Sequence, residues 1–216
     1  MSIRPSKKWR RSEVGAVANV DKQIVIKRLI SETTHAILYG RAWTGVANSG
    51  AGFHGPSFLI LAHNALYRAW LSHTFNVFDG RAEPATDRNS DITAFWWLTE
   101  LEPALWDHFI VRGVSINDWK KQQTSLKVLR DRHFYHIDRR GLDIKNVFQK
   151  AGVVPRRVQK LLNITARALE HLHLREFGYH SDLFEDLIVY RGHDANRIAR
   201  WAESEGLTVS ISARRT

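Results

Sequence analysis

The sequence predicts an all-α protein. Three observations carry this reading. Apolar residues recur at three- and four-residue spacings through the long stretches of the chain, Gly and Pro fall between those stretches, and no alternation of apolar and polar residues runs long enough to specify a sheet. With no internal repeat or low-complexity block, the helices are expected to close into one bundle.

The elements follow in order. Residues 1–20 are polar and basic, broken by Pro5 and Gly15, and read as a flexible basic arm, with order beginning near Asp21. Ile26, Leu29, Ile30, Ala36, Ile37 and Val46 then mark an amphipathic helix over residues 23 to about 47, ended by Ser49-Gly50-Ala51-Gly52. Pro56 suits the first turn of a second helix bearing Phe58, Leu59, Leu61, Ala62, Ala65, Leu66, Ala69, Trp70 and Phe75. The short connection makes the two an antiparallel hairpin. After a polar loop over 79–89, Ser90 can cap a short helix carrying Ile92, Phe95, Trp96, Leu98 and Leu101.

Pro103 breaks that run, and 104–114 is apolar but irregular, a short helical turn at most. Ser115 or Asn117 caps the next helix, expected over 116–139, with Trp119, Leu126, Leu129 and Phe134 facing inward. A short piece over 144–151 precedes Pro155, which opens a long core helix with Val158, Leu161, Leu162, Ile164, Ala168, Leu169, Leu172 and Leu174. Gly178 interrupts. Ser181 or Asp182 can cap a last helix through Leu183, Phe184, Leu187, Ile188, Ile198 and Trp201, leaving 206–216 as a tail that is either a strand or loose. A single helical domain over 21–205 results.

Composition narrows the function classes. The absence of cysteine excludes disulfides and thiolate metal sites and fits a reducing compartment, with the cytoplasm as the expected location. No apolar run approaches the roughly 20 residues of a membrane span, and the basic N-terminal stretch is not followed by the apolar core of a secretory signal. The net charge of +10 favours a polyanionic partner, with RNA or DNA the natural candidate. Lys7, Lys8, Arg10 and Arg11 in the arm, and Arg156 and Arg157 further on, are candidate phosphate contacts. Eight Trp must be buried with partners for their N–H groups or stacked on a ligand; Trp96, Trp97, Phe95 and Trp106 are read as core or interface before base-stacking platform. His171, His173 and His180 do not form a metal set at helical spacing, and no metal or cofactor is expected.

The chemistry concentrates at Leu129-Arg130-Asp131-Arg132-His133-Phe134-Tyr135-His136-Ile137-Asp138. Arg130 and His136, six positions apart, point about 120° apart on a straight helix, so they converge only if the helix distorts or ends there, or if two subunits meet. An imidazole can pass a proton near neutral pH, and a guanidinium can bind the extra negative charge of a phosphorane.

Arg130, Asp131 and His136 resemble the motif of the HEPN superfamily of helical domains, an Arg and a polar residue followed after a few positions by a His. The stretch Leu66 to Asp79 and the line RDRHFYHID further resemble conserved blocks of the AbiU-type branch, associated with abortive infection. The resemblance implies a HEPN-type helical bundle with extra helices, acting as a metal-independent endoribonuclease: a toxin or phage-defence effector cutting RNA through its 2′-hydroxyl at a homodimer interface. It implies Arg130, Asp131 and His136 as catalytic residues. His133, three positions from each of Arg130 and His136, is a further catalytic candidate, and Arg132 joins the candidate nucleic-acid contacts. RNA, a second copy of the chain and an antitoxin or regulatory protein are the implied partners. The other reading of the same segment is a non-catalytic helical module that binds RNA or protein. Another HEPN branch places Tyr two residues after the His; Asp138 stands there in this chain.

Overall fold

The computed structural model describes residues 15–48, 57–78, 95–131 and 147–182, together with 197, 198, 200, 201, 204 and 205. Helices α1 (Gly15–Asn48), α2 (Ser57–Phe78), α3 (Phe95–Leu101), α4 (Asp107–Ile110), α5 (Ile116–Leu129), α6 (Val147–Ala151) and α7 (Pro155–Phe177) follow in order, with a 3-10 turn at Pro103–Trp106 before α4. No strand occurs among the described residues, so the all-α expectation holds. No described helix is long and apolar enough to cross a membrane.

α1 is the spine, and it begins at Gly15, inside the stretch expected to be an arm. Between Gly15 and Gly40 the sequence offers no Gly or Pro to stop it. α2 lies antiparallel to α1: Trp43 meets His63 and Tyr67, while Glu32 and His35 meet His73. α7 lies antiparallel on another side, with Lys27 over Phe177 near one end and Gly40 against Gln159 near the other. Gly40 has a steric reason to be Gly. A Cβ there would stand 2.6 Å from Gln159 Oε1 and 2.9 Å from Trp70 Cδ1, so the missing side chain lets three helices close on one point.

The core is strongly aromatic. Trp43 stacks on Trp70 at 4.9 Å, with Tyr67 and Phe148 closing the group, and Trp119 of α5 stacks on Phe78 of α2 at 4.1 Å with planes 11° apart. Trp43 Nε1 donates to His63 Nε2 at 2.9 Å and Trp96 Nε1 to Glu100, but the buried Nε1 of Trp70 and Trp119 lack partners. Phe95 and Trp106 sit in the core and Trp96 is half-buried with Lys120 over its ring, which supports packing over a base-stacking platform for these three.

The expected inward faces of α1, α5 and α7 are buried. Leu61, Leu101, Leu174, Ile198 and Trp201 are exposed instead. Leu61 is two residues from buried Leu59, and Leu174 two from buried Leu172; a helix turns such a neighbour about 200° away. Phe134, Leu183, Phe184, Leu187 and Ile188 lie outside the described residues, as does the 206–216 tail.

Helix ends follow their local chemistry. Ser115 Oγ accepts the Asp118 N–H at 3.1 Å and Asp118 Oδ2 accepts the Ser115 N–H at 3.1 Å, a reciprocal capping box. Pro155 opens α7, and Gly178, at φ +78°, ends it with its N–H on Leu174 O. At one end of the bundle Lys22 lies between Glu102 and Glu176, and Arg175 bonds the same two carboxylates at 2.7 and 3.0 Å, tying α1 and α7 to the segment after α3.

Candidate functional site

α5 positions the start of the motif. Trp119, Gln122, Leu126 and Leu129 face inward, so Arg130, one residue beyond the buried Leu129, falls on the flank of the helix. There the backbone widens into a π-type turn over Arg130 and Asp131, and the Arg130 N–H is shared between the carbonyls of Leu126 and Lys127. Such single widened turns recur at functional positions in helices. Of the helix expected over 116–139, Ile116–Leu129 is regular, 130 and 131 form the widened turn, and 132–139 lie outside the described residues.

The Arg130 guanidinium donates through Nε to Asp131 Oδ1 at 2.9 Å; the Arg side chain is 22% exposed and the Asp side chain 47%. The charge-assisted bond fixes the direction of the guanidinium. It lies in a groove of about 150 Å³ lined by Phe75 and Phe78 of α2 and by Gln123, Thr124, Leu126, Lys127 and Arg130. Two cations, an amide and a hydroxyl therefore line the groove beside Phe75 and Phe78, with no carboxylate among the described lining residues. An anion seated there meets two cationic side chains and two neutral hydrogen-bond donors.

Of the other motif residues, Arg132, His133 and His136 lie outside the described residues, as do Lys7, Lys8, Arg10 and Arg11. Arg130 and Asp131 are brought together. Arg156 and Arg157 are exposed in the first turn of α7, and Arg157 lies within the field of Asp118. Asp118 is about 18 Å along α5 from Arg130, so these cations do not belong to the groove.

The remaining histidines diverge. His173 is buried and bonds the backbone of Tyr179, His180 pairs with Glu170, and His171 faces His108 across α4 and α7. Burial depresses the His108 pKa, helped by the nearby His171 and Arg112 charges, and burial depresses that of His63. Among the described residues no group of three His, Asp or Glu is placed to hold a metal ion.

A second polar cluster joins α1 and α2. Glu32 Oε2 accepts from His73 Nδ1 at 2.8 Å and from Asn76 Nδ2 at 2.9 Å. His35 Nδ1 donates to Ser31 O at 2.8 Å, and the rings of His35, Tyr39 and His73 lie nearly parallel, His35 to His73 at 5.0 Å. Burial works to raise the Glu32 pKa, but the His73 and Asn76 bonds, with the charges of His73 and Arg28, hold it below the ordinary carboxyl value. Sequence reasoning missed this group. Its one linear trace is Arg28, Glu32, His35 and Tyr39, spaced to share one stripe of α1.

Comparison with protein-family models, with curated proteins and with solved structures returns no match to this chain.

Proposed function

We propose that this chain is a metal-independent endoribonuclease of the HEPN type, a toxin or phage-defence effector in the cytoplasm, which cuts RNA through its own 2′-hydroxyl at a site completed by a second copy of the chain. The observation that carries the reading is the Arg130 groove: a guanidinium aimed by Asp131, with Lys127 beside it, at the point where α5 loses its regular turn. In this mechanism Arg130 and Lys127 hold the negative charge that grows on the phosphorus oxygens. His136, with His133, takes the 2′-hydroxyl proton and returns one to the leaving 5′-oxygen. An antitoxin or other regulatory protein restrains the activity.

A second reading, a non-catalytic module that binds RNA or protein, is favoured by one feature of the same groove. Among the described residues its lining supplies cations and hydrogen-bond donors, which suffice to hold a phosphate backbone. Incubation with RNA in EDTA separates the two. The nuclease reading expects fragments ending in 2′,3′-cyclic phosphate, with cleavage reduced about 10²–10³-fold in Arg130→Ala and about 10²–10⁴-fold in His136→Ala. RNA left intact at high protein concentration, or cleavage undiminished in His136→Ala, removes it. Salt-dependent RNA retention on a filter without cleavage leaves the binding module.

A further inference from the structure

The Glu32, His35 and His73 cluster lies apart from the Arg130 groove. α2 presents Phe75 and Phe78 to the groove, whereas it presents His73 and Asn76 to α1. Its hydrogen bonds fix both tautomers. An acceptor-only partner, the Glu32 carboxylate for His73 and the Ser31 carbonyl for His35, sits on each Nδ1, so each Nδ1 carries the hydrogen. That leaves the Nε2 edge of both rings for something else, and no hydrogen bond engages either Nε2 among the described residues. Neither ring is buried, and the His73 side chain keeps 28% of its surface in solvent.

A histidine serving architecture alone looks different in this chain. His63 is buried with its Nε2 taken by Trp43, and His173 is buried against Phe177 with its Nδ1 on a backbone carbonyl. The pair at His35 and His73 is instead oriented from behind and open in front. Asn76 shares Glu32 Oε2 with His73, which fixes the carboxylate that aims the ring. The stack with Tyr39, at 5.4 Å from His73 and 6.1 Å from His35, holds the ring planes within 23° of parallel.

We propose that His35 and His73, aimed by Ser31 and by Glu32 with Asn76, form a binding site for the phosphate group of a phosphate ester. In the neutral Nδ1–H form each Nε2 is an acceptor, so phosphate binding takes up a proton at each ring, and the two Nε2–H groups, on rings with centres 5.0 Å apart, then donate to oxygens of one phosphate. The Glu32 charge does not compete for that position. It is on the Nδ1 side of His73, its Oε2 is occupied by two donors, and Arg28 lies within its field. A metal ion fits less well, because no third His, Asp or Glu joins the two imidazoles among the described residues. The net charge of +10 draws phosphate esters to the surface, either from a polynucleotide or from a free nucleotide. The site stands whether or not the Arg130 groove supports cleavage.

The test is a long-range nitrogen–proton NMR spectrum of the imidazoles in the full chain, titrated at constant ionic strength with inorganic phosphate, a nucleoside 5′-monophosphate and a short oligoribonucleotide. The expected result is saturable movement of the Nε2 signals of His35 and His73 together, with His63 and His173 unmoved, and about tenfold weaker binding in His73→Gln. Tighter binding of the oligonucleotide with a steep salt dependence identifies a polynucleotide as the source, and equal affinity for the mononucleotide identifies a free nucleotide. In Arg130→Ala the two signals still move, which separates this site from the groove. If neither ring responds to any of the three in the wild-type chain, or if all histidines move alike, the proposal is overturned.

Discussion

At one end of α1, Lys22 sits between Glu102 and Glu176, and Arg175 bonds both carboxylates; further along the same helix, Glu32 holds His73 and Asn76 of α2. Both clusters join helices through charge and hydrogen bonds, but they finish differently. In the first, two cations meet two carboxylates and every charge is answered within the cluster. In the second, each imidazole is tied by one nitrogen and keeps the other. The difference separates a clamp from a site: a polar group that holds helices together satisfies itself, whereas one that receives a ligand is oriented on one side and left open on the other.

The largest expected effect removes the frame beneath both. Trp119 is fully buried and stacked on Phe78, so Trp119→Ala should cost about 3–5 kcal/mol in denaturant unfolding. A loss well under about 2 kcal/mol would show that the α2 and α5 packing is not the common support.

The clamp comes next. Lys22→Met leaves two carboxylates to one Arg and should cost about 1–2 kcal/mol. The pH dependence sharpens this. Burial works to raise the Glu102 pKa, but the Lys22 and Arg175 bonds hold it below the ordinary value; Glu176 is lowered first by its Lys22 bond, with Arg175 adding. A carboxyl lowered in this way stabilises the fold above its ordinary pKa and loses that contribution as pH falls through the folded value. Between about pH 5 and pH 3 the wild-type chain should therefore lose more stability than Lys22→Met. Parallel curves would break the clamp half of the comparison.

Much of the frame was legible in the sequence. The α7 stripe from Val158 to Leu172 has helical period, and the Ser115-x-x-Asp118 box, with Asp at the position usually held by Glu or Gln, marks the start of α5. The 103–110 segment was not, because a 3-10 turn followed by a single α turn is too short to show a period. At the site, Arg130 and Asp131 were visible as neighbours, whereas Glu32 and His73 are 41 positions apart and meet only through the register of α1 against α2. No local pattern encodes that register.

Two smaller changes finish the series. Ser115→Ala removes the cap of α5 and should cost about 1 kcal/mol in thermal or denaturant unfolding, leaving the phosphate response of His35 and His73 intact. Glu32→Gln keeps an oxygen acceptor for His73 and should cost about 0.5 kcal/mol. Its effect belongs in the imidazole spectrum, where the His73 ring should no longer be held to one tautomer, because the amide that replaces the carboxylate can donate as well as accept. A stability loss larger than that of Lys22→Met would instead make this cluster a second clamp.

The bond from the Trp43 indole to His63 Nε2 gives the chain an optical gauge. The indole N–H requires an unprotonated nitrogen opposite it, so taking up a proton at His63 must break the bond. The broken bond leaves a cationic ring against Trp43, which is itself stacked on Trp70. Imidazolium quenches indole emission, so the brightness and colour of the light from this pair should change as His63 takes up its proton, with no dye attached.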